Sequence, residues 1–327
     1  MNKIRKIVKS GIAIIVALAG VSIGNISVLA QDAVGGDDVS EIARKTSNPL
    51  GGDFMVLINE WHYANFNGTI TTKDRAVISH IFQPVIPLSM EEVIGENWIM
   101  VNRPTFSMIY DADLPTSITT GPQGPTATFD NFSGFGDISH FSLLGVSLPS
   151  QNDLLGPGDF VAAAGVSLNI PVGSTDLSNK AWAAGPAGVL SYIGKNGILG
   201  GLVQTQFDFA DANGGDDVEY DKAFIQPFYY VNLDDGWQVG GAPRWVYDFN
   251  TGQWDLPIAL GFTKTQVFDL GDGKKLPIKF GLDARYSLES SDTFGGEWEV
   301  VFTVNPIIPN VVQNLIRGCP AMSVGGC

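Results

Sequence analysis

Three histidines, His62, His80 and His140, are the side chains here best suited to acid–base chemistry or metal ligation near neutral pH. His62 and His80 fall in neighbouring strand-like windows, which predicts that they approach one another near one rim of the fold. Two imidazoles with no carboxylate placed beside them are weak grounds for a metal or a catalytic pair. Beyond residue 30 the sequence contains no G-x-S-x-G, no H-E-x-x-H, no P-loop and no G-x-G-x-x-G. A nucleophile and its base need not be close in sequence, so a hydrolase built from scattered residues stays as the least favoured reading. The expectation is that the chain is not an enzyme. The sharpest local cluster is acidic: Asp211, Asn213, Asp216, Asp217 and Glu219, around Gly214 and Gly215. Hard cations take several oxygen donors from such a loop. The spacing is not that of an EF-hand, however, and a run of charge is ordinarily solvated. The loop is a weak metal candidate, and no cofactor is expected.

What must position these residues is a series of short strands. Beyond Asn48-Pro49, twelve strand-like windows recur between Gly, Asp, Asn and Pro clusters, from Phe54–Tyr63 to Glu297–Val304. In Leu276–Leu288 one parity reads Leu276, Ile278, Phe280, Leu282, Ala284, Tyr286, Leu288. The other reads Pro277, Lys279, Gly281, Asp283, Arg285, Ser287. Successive side chains on a strand point to opposite faces, so each set shares one face. Residues 38–44 have the spacing of a short helix, with Asp38 and Glu41 as a capping box.

Composition narrows the setting. The chain has 327 residues, 44% apolar and 16% charged, with 39 glycines and a formal charge of −15. An average soluble protein is about 25% charged, and disordered chains or coiled coils carry more charge still. The acidity argues against nucleic acid as a partner, since phosphates require a basic face. Lys3, Arg5, Lys6 and Lys9 precede an apolar stretch and then Val28-Leu29-Ala30, the layout of a secretory signal cleaved near Ala30. An exported chain meets an oxidising compartment, so Cys319 and Cys327, the only cysteines, are disulfide candidates.

No later segment approaches the ~18 consecutive apolar residues of a spanning helix. Closed barrels are the other structure that crosses lipid, and they hide their signal in short alternating strands. A large exported β-sandwich alternates in the same way. Trp98, Trp237, Trp245, Trp254 and Trp298 at or near strand ends favour the barrel, because membrane barrels carry interfacial aromatic girdles. The expected fold is therefore all-β: a transmembrane antiparallel up-and-down β-barrel of about twelve strands. The expected division is signal 1–30, periplasmic segment 31–50, barrel 51–305 and C-terminal tail 306–327.

A lysine or arginine facing lipid at mid-depth costs about 2–4 kcal/mol, which directs the polar parity inward. The expected lumen residues are Arg103, Gln204, Gln206, Asp208, Gln226, Arg244, Asp248, Lys279, Asp283 and Arg285, with Asp255, Glu297 and Glu299. Phe224, Phe228 and Tyr230 share the inward parity of Gln226. Each polar residue either braces a closed barrel or contacts a solute. Residues 111–135, rich in Pro and Gly, are expected to fold inward as a constriction.

Gln83-Pro84-Val85-Ile86-Pro87 followed by Trp98-Ile99-Met100-Val101-Asn102-Arg103-Pro104 resembles the outer-membrane family labelled "MetA-pathway of phenol degradation", whose members are often misnamed neuromedin U. The resemblance continues through Gly134-Phe135-Gly136-Asp137, Val166–Gly173, Trp182–Pro186, Gln226–Leu233 and Asp235-Gly236-Trp237, and covers roughly residues 48–305. It implies an outer-membrane barrel carrying small, including aromatic, compounds. Such barrels end on their last strand, whereas residues 305–327 continue here. The expected function is a porin-like channel for small solutes in the outer membrane of a Gram-negative bacterium, with lipid, solute and the barrel-assembly machinery as partners. The alternative is a plugged structural or surface-interaction barrel.

Overall fold

The computed structural model describes residues 39–48, 50–52, 54–71, 74–122, 124–212, 219–271 and 274–319. The signal segment and Asp38 lie outside the described residues, as do Asn213, Asp216, Asp217 and Cys327. A short helix, α1 (Val39–Thr46), precedes the first strands β1 (Phe54–Asn67), β2 (Arg75–Ser89) and β3 (Trp98–Gly121). Then come β4 (Gly124–Phe135), β5 (Ile138–Ser150), β6 (Gly158–Ile170), β7 (Ala181–Gly194), β8 (Gly197–Asp211) and β9 (Lys222–Asn232). The series ends with β10 (Trp237–Gly241), β11 (Trp245–Asp248), β12 (Gln253–Asp255), β13 (Pro257–Gly271), β14 (Lys274–Ser287), β15 (Gly295–Pro309) and the helix α2 (Val311–Ile316). Neither helix is long and apolar enough to cross a membrane.

Neighbouring strands pair antiparallel, and β15 pairs β1 from Phe54↔Pro309 to Asn67↔Gly295, which closes the sheet on itself. Three staves of the cylinder are interrupted. β4 and β5 form one stave bent at Gly136-Asp137, β10 and β11 another across 242–244, and β12 and β13 a third at Leu256. The result is a closed barrel of twelve staves. Pro243 and Pro257 stand at two of these breaks, where a missing backbone donor ends a ladder.

The alternation expected from the sequence orients the wall. Leu260, Leu282 and Phe302 are exposed, at 66%, 41% and 44%, while their chain neighbours Ala259, Asp283 and Val301 are buried. Leu190, Leu199, Val203 and Phe207 continue this exposed apolar belt. An apolar surface that continues from strand to strand calls for hydrocarbon rather than water outside it. Twelve staves spaced ~4.8 Å apart and tilted ~40° enclose a backbone cylinder about 24 Å across.

Inside, the two ends differ. At the rim that bears α1, Val101, Phe141, Leu143, Val161, Ile193 and Leu202 form a buried apolar cluster, and Leu50 from the N-terminal segment inserts into it. β5 and β6 approach closely there: a Cβ on Gly165 would fall on the carbonyl oxygen of Ser142 and 3.0 Å from Leu143 Cα. Backbone cannot yield as a flexible side chain does. Gly165→Val is expected to cost about 3 kcal/mol, read as a lower urea midpoint for loss of the fast-migrating band on unheated gels. Val166→Leu, on the exposed face next door, is expected to leave that midpoint in place.

Two expectations are corrected. Residues 111–135 do not fold inward as a constriction; they extend β3 and β4 into a hairpin above the rim opposite α1, and Thr116 to Gly121 are exposed. Cross-strand hydroxyl bonds hold this hairpin, Thr116 to Thr128 at 2.9 Å and Thr119 to Thr126 at 3.1 Å. At its base Arg75 binds Asp113 at 2.7 Å and lies 3.7 Å over the Phe129 ring. The last strand also runs past Val304 to Pro309, because its pairing with β1 continues to Phe54. α2 then docks against the rim that bears α1: Asn310 donates to the Gly52 carbonyl at 2.9 Å, and Ser89 N–H donates to Gln313 at 2.7 Å.

Candidate functional site

The polar residues of the lumen fall into two groups with different chemistry. On the wall made by β14, β15 and β1 the charges are paired. Arg285 Nη1 binds Glu299 at 3.0 Å and Nη2 meets Asp283 at 3.7 Å. His62 Nδ1 meets the other oxygen of Glu299 at 2.7 Å, and its Nε2 lies 3.4 Å from Glu60. Two bases and three carboxylates thus run across three adjacent staves. Cross-strand pairs of this kind brace a sheet from inside, and Arg285 is a brace in this sense. Lys279 on the same wall reaches Ser47 Oγ at 3.5 Å and lies 5.6 Å from the Tyr230 ring.

Two further cations, on staves that flank this wall on either side, have no carboxylate of their own. Arg103, on β3, lies 4.5 Å over Phe141, and its Nε is buried with no hydrogen-bond partner among the described residues. Arg244, in the break between β10 and β11, lies 4.1 Å over Phe224 and stays exposed. Counting round the twelve staves, β3 and the β10–β11 stave are six apart, on opposite sides of the barrel. Even so, Arg103, Arg244 and Glu60 lie within electrostatic reach of one another. Each guanidinium is thus held against an aromatic ring, Phe141 for Arg103 and Phe224 for Arg244.

The remaining expected lumen residues divide between these roles. Gln204 and Gln226 line the same stretch, opposite Phe224 and Leu202. Gln206 is occupied: it donates to Ser139 and to the Leu168 carbonyl, both at 3.1 Å, and accepts from Tyr220 at 3.3 Å. Asp208 sits at the rim opposite α1, where it accepts from Tyr220 N–H at 3.2 Å. Burial and the adjacent Asp208 carboxylate hold the Asp221 carboxyl above its ordinary range. Asp248 accepts from the N–H groups of Asn250 and Thr251 at 3.0 Å and faces Lys222 at 3.6 Å, so it fixes a turn. Asp255 accepts from Ser287 at 3.2 Å, and Glu297 accepts from Asn67 at 3.0 Å.

His62 and His80 do not come together as the spacing predicted. His62 joins the carboxylates inside, whereas His80 stacks at 4.6 Å on Trp61, which faces the other way. His140 lies 2.9 Å from Ser142, whose hydroxyl donates to Asn102 at 2.6 Å. A hydroxyl has one proton, so with Ser142 donating to Asn102 the imidazole is its donor and not its base. No group of three or more metal-ligating side chains occurs among the described residues. Of the acidic loop, Asp211 and Glu219 are described; of the two cysteines, Cys319 is buried beneath α2 and Cys327 lies outside the described residues.

The N-terminal segment crosses the lumen at the helix-bearing rim. Arg44 binds Glu41 within α1 and reaches Asp159 on β6 at 2.9 Å. Ser40 accepts from Gly236 N–H at 3.1 Å on the opposite side. Asn48 donates to Ser147 on β5 at 2.8 Å, while Ser47 meets Lys279 on β14. Glu60 and this crossing were not foreseen. Glu60 carried a signal, two residues before His62 on one parity; the crossing carried none, because it depends on contacts far apart in sequence.

No family model matches the chain, and no curated protein matches it. Among solved structures it is similar to an outer membrane channel from Pseudomonas putida F1, with TM-score 0.50 and 11% identity over 78% of this chain and 95% of that one. Outer membrane phospholipase A from Escherichia coli matches with TM-score 0.37 and 11% identity over 83% and 97% of the two chains. Pseudomonas aeruginosa OccK5 matches with TM-score 0.30 and 12% identity over 80% and 99%. Closure, stave number and an exposed apolar belt, together with the first of these likenesses, make the chain an outer-membrane-type β-barrel in fold.

Proposed function

We propose that this protein is an outer-membrane channel through which small solutes, apolar and aromatic ones among them, pass by passive diffusion. The observation that carries the reading is the pair Arg103 and Arg244, cations stacked on aromatic rings inside a closed wall whose outside is apolar. A lumen filled only for bracing would pair such charges, as the Arg285 wall does. The helix-bearing rim is taken as periplasmic, with the signal removed near Ala30 and the chain delivered to the barrel-assembly machinery. The resemblance to the phenol-degradation family supports the aromatic part of the reading. In planar bilayers the protein is expected to give discrete conductance steps, and in liposomes faster swelling with small neutral solutes than with large ones. Absence of both conductance and flux overturns the proposal. That outcome would favour a plugged barrel, a reading supported by the segment across one mouth.

A further inference from the structure

Placing a guanidinium in a walled cavity costs several kcal/mol unless its donors and charge are answered. Arg285 is answered by Glu299 and Asp283, and Lys279 by Ser47 and the Tyr230 ring. Arg103 and Arg244 are answered differently, by stacking on Phe141 and Phe224, which attracts the cation but accepts none of its N–H groups. Neither has a carboxylate within ion-pair distance among the described residues, and Glu60 on β1 lies instead 3.4 Å from His62 Nε2. Stacking also fixes the two planar forks, so little freedom is lost when they bind. The chain as a whole is strongly acidic, yet Arg103 and Arg244 present positive charge with no carboxylate at ion-pair distance among the described residues.

We infer that Arg103 and Arg244 form a site for a small organic monoanion, a carboxylate on a flat apolar body. A carboxylate has the geometry to accept paired N–H bonds from a guanidinium. The body has a surface to lie on: half-buried Phe228, between Phe224 under Arg244 and Tyr230 beside Lys279 on one face of β9, packs against the apolar cluster below. A compact inorganic anion would leave that aromatic surface uncovered. The inference rests on the channel reading and gives it a substrate class.

The test uses the full chain in detergent and in planar bilayers, with benzoate as the probe and benzamide as its uncharged counterpart. Calorimetric titration is expected to show benzoate binding about tenfold or more tighter than benzamide. Arg103→Gln and Arg244→Gln are each expected to weaken benzoate about tenfold and leave benzamide unchanged. Arg103→Lys is expected to weaken it less than Arg103→Gln, because the charge stays and the fork is lost. In a salt gradient the wild type is expected to prefer chloride to potassium, and the double glutamine variant to lose that preference. Lys264→Gln, which removes a cation paired with Asp235 at the rim, is expected to change neither readout. Benzoate that does not bind, binds no better than benzamide or inorganic phosphate, or binds both glutamine variants as well as wild type overturns the site. Benzoate binding without any conductance retains the site and overturns the channel. Heat-shifted gel mobility confirms that each variant is folded.

Discussion

Deleting residues 31–50 is expected to raise single-channel conductance several-fold. The segment enters at Ser40 beside Gly236 and touches Lys279 from Ser47 and Ser147 from Asn48 before Leu50 is buried. These contacts belong to staves on opposite sides of the barrel, so the chain between them lies across the opening. A helix with its side chains is about 10 Å wide. The backbone cylinder is about 24 Å across, and side chains lining both walls leave roughly that same width free. The segment therefore occupies most of the aperture, and conductance scales with the open cross-section. Arg44→Gln is the milder form of the experiment. It removes the tie from Arg44, in α1 outside the spanning strands, to Asp159 at the start of β6; the Glu41 carboxylate first and Asp159 second hold that guanidinium charged. Brief openings of the larger size are expected from it, in place of a permanent increase. If the deletion leaves conductance unchanged in a folded barrel, the crossing segment does not limit flow.

The barrel was legible because its period is local. Lys279, Asp283 and Arg285 read inward from two-residue alternation alone, and the structure places them there since one reversed residue would set a charge in hydrocarbon. The same logic failed for residues 111–135. Their Pro and Gly content suggested a loop, but threonines facing across the hairpin hold a ladder together despite Pro115 and Pro125. Parity also could not separate bracing from solute contact. Gln206 and Gln204 share a face on one strand; Gln206 meets Ser139 and Tyr220, whereas Gln204 is buried opposite Phe224. That difference arises from residues some 14 to 67 positions away along the chain. The histidines show the limit from the other side, for neighbouring strands do not bring two side chains together when their parities oppose.

Arg285→Met is expected to destabilise the barrel by about 3–5 kcal/mol, the cost of breaking a buried ion pair from one side. The arginine side chain is only 10% exposed, and its loss leaves Glu299 and Asp283 facing each other across adjacent staves with His62 the nearest base to Glu299. Methionine fills much the same volume, so the loss is electrostatic and not a cavity. The check is a urea titration followed by tryptophan fluorescence, together with the temperature at which the fast-migrating gel band disappears. Arg285→Met combined with Glu299→Leu separates this account from simple mispacking. Replacing both ends of a buried pair by apolar groups is often near neutral, so the double variant is expected to recover most of the loss. A double variant as unstable as the sum of its parts would mean that the two residues act independently. In that case the charged chain across β14, β15 and β1 would not be what braces the closing seam. Recovery would show that the wall of β14, β15 and β1 spends its charges on holding the cylinder shut, leaving Arg103 and Arg244 on either side of it free to meet a solute.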